Sequence, residues 1–153
     1  MTERTLQMLA QLVPQAIPVF DYFFRNLDTA IGDDQYIVFE GRRTVEIQDA
    51  YYAQGRENLS MVNGLRKMAG LYLLRSDKDN YKITWTRKSK HIEGLAMDVL
   101  PGDGAGKPTW DLAHYRKVFE AIRDAGRKTG LECGADWPDP ETDWPHYEIK
   151  GKV

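Results

Sequence analysis

The stretch Ser89-Lys-His91-Ile-Glu-Gly94-Leu-Ala96-Met-Asp98 sets a histidine seven residues ahead of an aspartate, with a glycine between them. On a helix, positions seven apart nearly superimpose; on a strand, an odd spacing puts them on opposite faces. Gly94 breaks either element, and the Leu95–Leu100 run LAMDVL that follows has the apolar, β-prone character of a strand. The stretch therefore predicts a turn carrying His91, a strand carrying Asp98, and a fold in which the turn brings the two together. Such a pair alone reads more readily as a hydrogen-bonded couple or as two surface residues than as half of a metal site. A third ligand decides between them.

The chain has two further histidines. His114 falls in a segment predicted to be helical and reads as a partly exposed helical side chain. His146 lies in ETDWPHYEI, with Asp143 three residues before it, Pro145 stiffening the approach and a strand predicted to carry it onward. Two histidines and a carboxylate suffice for a catalytic zinc, which keeps a fourth position open for water. Such a site also needs a base beside that water, and Asp143 is near enough in sequence to be one. Glu148, two residues past His146 on the predicted strand, shares its face and is placed to orient a ligand.

Around these residues the chain reads as one domain, residues 1–153, without repeats or linkers. Apolar residues from Leu6 to Leu27 recur at helical spacing, interrupted near Pro14 and Pro18. YIVFEG reads as a strand, and TVEIQDAYYAQGR as a helix through Val45, Gln48, Ala50, Tyr51 and Tyr52. Between Glu57 and Ile83, Met61, Leu65, Met68, Leu71, Leu73 and Leu74 suggest another helix before the polar SDKDN turn. PGDGAGKP is a loop, and a helix is predicted from Thr109, with Gly126 and Gly130 marking its end.

Composition excludes several classes. The 21 Lys and Arg against 23 Asp and Glu, formal net charge -2, give no overall basic excess for nucleic acid. The one cysteine, Cys133, rules out an internal disulfide or a cysteine-rich zinc cluster and is expected to be a buried small residue. No window approaches the roughly 20 apolar residues of a membrane span. The first residues, with acidic Glu3 and two prolines, lack the basic start and apolar run of a signal peptide.

Together, Ser89-x-His91-x-x-Gly94-x-Ala96-x-Asp98 and, about fifty residues on, Asp143-x-x-His146 resemble the paired motifs of the zinc D,D-carboxypeptidase and L-alanyl-D-glutamate peptidase family, many of whose members are phage endolysins. EGRRT with the helix EIQDAYYAQGR is similar to that family's E-G-x-R-[ST] strand end and glutamine-bearing helix, and LECGADW to its E-W-G-G-D-W segment. The likeness touches most of the chain outside roughly 57–83. It implies zinc held by His91, Asp98 and His146, Asp143 as catalytic base, Arg43 on the scissile carbonyl and Ser89 contacting substrate or steadying its loop. Arg42 would lie on the wrong side of the chain to serve in Arg43's place. The family pattern is altered at Cys133, at Ala135 and by the PDPET insertion before Asp143, which makes Asp136, Asp139 and Glu141 rival bases.

The resemblance implies an α+β fold of the Hedgehog/D,D-peptidase type, a small antiparallel sheet bearing the zinc with helices packed against it. The implied activity is hydrolysis of the peptidoglycan stem peptide between L-alanine and D-glutamate, as a phage or prophage endolysin. The expected protein is a monomer, without nucleic acid or membrane insertion, held in the cytoplasm until a holin releases it to the wall. Alternatives are a D,D-carboxypeptidase or dipeptidase, a non-catalytic zinc-fold binding domain, and a phage structural component with an incidental metal.

Overall fold

The computed structural model describes residues 1–151. The chain forms two compact units, one made of Met1–Arg42 with the stretch that begins at Glu93, the other of Arg43–Ile92.

In the first unit, α1 (Glu3–Leu9) is capped by Thr2, whose hydroxyl accepts from the Thr5 amide, and α2 spans Ile17–Ile31. Pro18 falls in the first turn of α2 and starts that helix, because an amide there needs no partner within the helix. The sheet is built from β1 (Tyr36–Glu40), β2 (Ala96–Pro101), β3 (Glu132–Cys133) and β4 (His146–Glu148), in the order β1-β2-β4-β3 with antiparallel neighbours throughout. Alternation along these strands divides their side chains between two faces. Val38, Met97, Val99 and Tyr147 join the core, in which α2 contributes Phe20, Phe23 and Phe24; the Phe23 and Tyr147 rings lie 5.1 Å apart. Asp98 and His146, one step out of phase, belong to the other face.

The last helix, α5 (Arg116–Thr129), begins later than expected from Thr109. The intervening residues form a turn in which the Thr109 hydroxyl and the Asp111 carboxylate accept amide protons from Asp111 and His114. His114 is consequently off the helix, exposed, with Nδ1 3.2 Å from Asp111 Oδ2. Gly130, left-handed at φ 85°, ends α5, whereas Gly126 lies inside it against Tyr147.

Cys133 is buried as expected. Burial pushes its thiol up to about 11, and the Asp136 carboxylate adds to the effect. At pH 8 only about one thiol in a thousand is ionised, so iodoacetamide should leave the native protein essentially unlabelled over an hour while labelling it fully in guanidinium. Fast labelling of folded protein would contradict the burial.

The second unit holds α3 (Val45–Ala53), α4 (Leu59–Met68) and a 3-10 turn at Asp77–Asp79. Its helices are capped by Thr44 and Asn58, but its apolar interior is thin. Val45, Met61, Met68 and Leu73, expected to line helical faces, are all exposed, and α4 buries only Val62. Polar anchoring does the work that packing does elsewhere. The Asn63 amide both donates to the Leu74 carbonyl (3.1 Å) and accepts from its N–H (2.8 Å), so the chain beyond Met68 is fixed as coil and no helix continues through Leu71–Leu74. Asn80 likewise accepts from Gly55 N–H and donates to the Glu57 carbonyl.

Candidate metal centre

The turn that opens SKHIEGLAMD is made by its own side chains. The Ser89 hydroxyl accepts from the His91 amide at 3.2 Å, and the Ser89 carbonyl accepts from Ile92 N–H at 3.0 Å. Gly94 then takes φ 70°, in the left-handed region that a side chain would disfavour, and its carbonyl accepts from Val13 N–H at 3.2 Å. The chain leaves this turn directly into β2, and Asp98 arrives opposite His146 in the β2–β4 register. The Pro145 carbonyl, accepting from Val99 N–H at 2.8 Å, extends that pairing to the residue before His146. On its other side Asp98 pairs with Glu40 across a bulge in β1. Direct cross-strand partners share a face, so one side of the sheet gathers Glu40, Asp98, His146 and, two along from His146, Glu148.

His91, Asp98 and His146 are all buried, and one ligating atom of each lies within 4.8 Å of the others. Three ionisable groups so close and so buried are costly unless a charge balances them. Burial alone would lower the His146 pKa, but its contacts with the Asp98 and Glu148 carboxylates prevail and push it up to about 9, with Asp143 adding to the effect. In the cation-free chain that raised pKa contributes stability fully below pH 6.5, lost as pH rises through about 9. The field here asks for positive charge, which a divalent cation supplies as well as a proton does.

The donor set fits zinc: two imidazoles and one carboxylate, with room in a tetrahedral shell for a fourth ligand. Orientation of His146 fits too. Its Nε2 stands 2.8 Å from Glu148 Oε1, while Nδ1 stands 3.4 Å from Asp98 Oδ1. A neutral ring that keeps its proton on Nε2 for Glu148 presents the Nδ1 lone pair toward Asp98, the arrangement in which a carboxylate holds a ligating histidine in one tautomer. Trp137 closes one side of this imidazole, ring centroids 4.9 Å apart.

The PDPET insertion is accommodated as a turn whose two ends return to one residue. Gly134 O accepts from both Trp137 N–H (3.2 Å) and Asp143 N–H (2.8 Å), and the Asp143 carbonyl accepts from His146 N–H (3.1 Å). Of the rival carboxylates, Asp136 is held by the Arg127 guanidinium, which keeps it below the usual range, and Asp139 and Glu141 are exposed. Gly134 permits the closure by having no side chain, since a Cβ there would sit 2.1 Å from the Asp143 carbonyl oxygen and 3.0 Å from His146 Cβ. With Asp143 as the expected base, Gly134→Ala should therefore shift it by about 1 Å and cost about 10²-fold in kcat. Full activity from a folded Gly134→Ala protein would show that this approach is not required.

Arg43, in the other unit, is buried and fixed by its neighbours. Its Nη1 donates to Gln48 Oε1 at 2.5 Å, its guanidinium carbon lies 4.9 Å from the Tyr51 ring centroid, and its backbone N–H donates to the His91 carbonyl at 2.9 Å. Gln48 is itself held, donating to the Thr86 carbonyl at 2.6 Å. Gln48 was expected only as part of a glutamine-bearing helix, with no role at Arg43; a glutamine five residues after an arginine is the signal that could have found it. Glu40 had no expected role beyond the EGRRT motif, although Asp98 pairing with that strand makes the two neighbours.

A sequence model described as phage L-alanyl-D-glutamate peptidase matches residues 57–151. No curated protein matches the chain. Among solved structures, the Serratia marcescens L-Ala D-Glu endopeptidase ChiX is similar with a TM-score of 0.56 and 21% identity, over 98% of this chain and 89% of that one. A mutant of the vancomycin-resistance D,D-pentapeptidase VanY, in complex with Zn(II), aligns with a TM-score of 0.48 and 20% identity, over 88% of this chain and 72% of that one. The α+β architecture expected from the sequence, a four-stranded antiparallel sheet with helices against it, is the one observed.

Proposed function

Because the chain belongs to the phage L-alanyl-D-glutamate peptidase family, we propose that it is a zinc-dependent hydrolase that cuts the L-alanyl–D-glutamate bond of peptidoglycan stem peptides as a phage or prophage endolysin. The observation that carries this reading is the grouping of His91, Asp98 and His146 within 4.8 Å. Bound by these three residues, zinc would supply a Lewis acid that acidifies water and polarises the scissile carbonyl. Asp143 takes the proton from the attacking water and returns it to the leaving amine of D-glutamate. Glu148 keeps the His146 ring in place, and Ser89 holds the turn that presents His91. Arg43, pinned by Gln48 and Tyr51, meets the negative charge that develops on the carbonyl oxygen.

One peptidase domain acting as a monomer, reaching the wall through a holin, completes the proposal. Among the described residues no helix is long and apolar enough to cross a membrane.

Arg43→Lys should lower kcat by about tenfold or more with little change in KM, because an ammonium cannot reproduce the planar fork that Gln48 and Tyr51 position. An unchanged kcat would remove Arg43 from the reaction. The deciding experiment is mass spectrometry of purified peptidoglycan after incubation with zinc-loaded protein, beside a chelator-treated control. Stem peptides released with a new D-glutamate amine support the proposal. Loss of terminal D-alanine alone would move the chain to the carboxypeptidases, and no product from folded, zinc-loaded protein would leave a binding domain.

A further inference from the structure

The whole-chain charge of -2 conceals a segregation. The Arg43–Ile92 unit carries ten Lys and Arg against five Asp and Glu; the remaining residues carry eleven against eighteen. Lys67, Arg75, Lys78, Lys82, Arg87 and Lys88 are all exposed, and among the described residues none of them is in an ion pair. Arg56 and Arg87 are held near each other despite like charge, their guanidinium carbons 3.9 and 4.9 Å from the centroid of the Tyr52 ring. Tyr72, Tyr81 and Trp85 stand exposed among them, with relative accessibilities of 95%, 62% and 46%.

A compact unit of this length has a radius of gyration of about 10 Å, close to the Debye length of about 8 Å at physiological salt. Its cations therefore act on a polyanion jointly, and the exposed rings offer apolar surface beside them. We infer that Arg43–Ile92 is a wall-docking surface, which binds intact peptidoglycan through the free carboxylates of its stem peptides. This rests on the peptidase reading, which makes a polymer bearing many carboxylates the substrate. An enzyme of net charge -2 would otherwise gain nothing from electrostatics as it approached such a wall. The basic unit reverses that locally, and the gain should appear on the insoluble polymer and be absent on a short soluble peptide.

The test is co-sedimentation with purified sacculi, in an Asp143→Ala background so that the polymer stays intact. One triple variant carries Arg75→Glu, Lys82→Glu and Lys88→Glu. Its control carries Lys107→Glu, Lys117→Glu and Lys128→Glu, exposed lysines outside the unit, with the same change in net charge. The first triple should weaken binding more than tenfold at 150 mM salt and the second less than twofold. Binding of the parent should fall steeply between 50 and 400 mM salt, and sacculi whose carboxylates have been converted to amides should bind at least tenfold more weakly. Equal effects of the two triples, indifference to amidation, or tighter binding to duplex DNA than to sacculi would each overturn the inference.

Hydrolysis of a soluble stem peptide by the protein with Asp143 intact separates the two readings. Cleavage together with charge-blind wall binding sinks the docking surface and leaves the peptidase. Charge-dependent binding without cleavage keeps the surface and removes the peptidase.

Discussion

His146→Ala should sharply weaken zinc binding and remove peptide hydrolysis together. The residue is buried opposite Asp98 and is held on its far side by Glu148, so its removal deletes a ligand and leaves two carboxylates facing a void. Apparent zinc affinities of about 10–16 kcal/mol shared among three protein ligands put the loss at about 10²–10⁴-fold in Kd. His91→Ala should behave alike. Glu148→Leu supplies the graded comparison: the ligand set is intact but the ring is no longer held, which should weaken zinc by about 10–100-fold. Competition with a chromophoric chelator measures all three without reference to turnover. Unchanged zinc affinity in His146→Ala would dismantle the proposed centre, and zinc binding lost equally in Glu148→Leu and His146→Ala would mean that general unfolding, not ligation, had been measured.

Asp143→Ala should do the opposite, retaining zinc while kcat falls by about 10²–10⁴-fold, the usual contribution of a positioned general base. The separation follows from how Asp143 is attached: its backbone N–H donates to Gly134 and its carbonyl accepts from His146, and both contacts survive the loss of the side chain. Equilibrium dialysis for zinc with stopped-time chromatography of a stem peptide gives the two readouts. A zinc-loaded Asp143→Ala enzyme with near-normal kcat would return the role of base to another carboxylate. Asp136 is the weakest of those rivals because the Arg127 guanidinium already engages it.

Much of this was legible in order along the chain. A turn at Gly94, a strand through Asp98 and a strand from His146 follow from residue type and period, because glycine freedom and alternation are local properties. The errors were also local in origin. The helix expected from Thr109 gives way to a turn because the Thr109 and Asp111 side chains capture amides that a helix would have used. Apolar spacing of Met61, Leu65, Met68, Leu71, Leu73 and Leu74 suggested a packed helical face, yet none of those side chains is buried, Met61, Met68 and Leu73 are exposed, and Asn63 fixes the coil beyond the helix. Periodicity reports which residues could share a face, not whether anything lies against it.

The sequence by itself determined the family, the strand order of chemistry along the chain and the identity of the candidate ligands, since these rest on residue types at fixed spacing. Only the tertiary structure decided that Asp98 and His146 are cross-strand partners, that Glu40 and Glu148 crowd the same face, that a missing side chain at Gly134 lets the inserted turn close, and that Gln48 fixes Arg43. The first two join residues about fifty or more positions apart, through a register set only once the core has packed; the last two are short in sequence, but it is burial and turn closure, which spacing does not encode, that make them binding constraints.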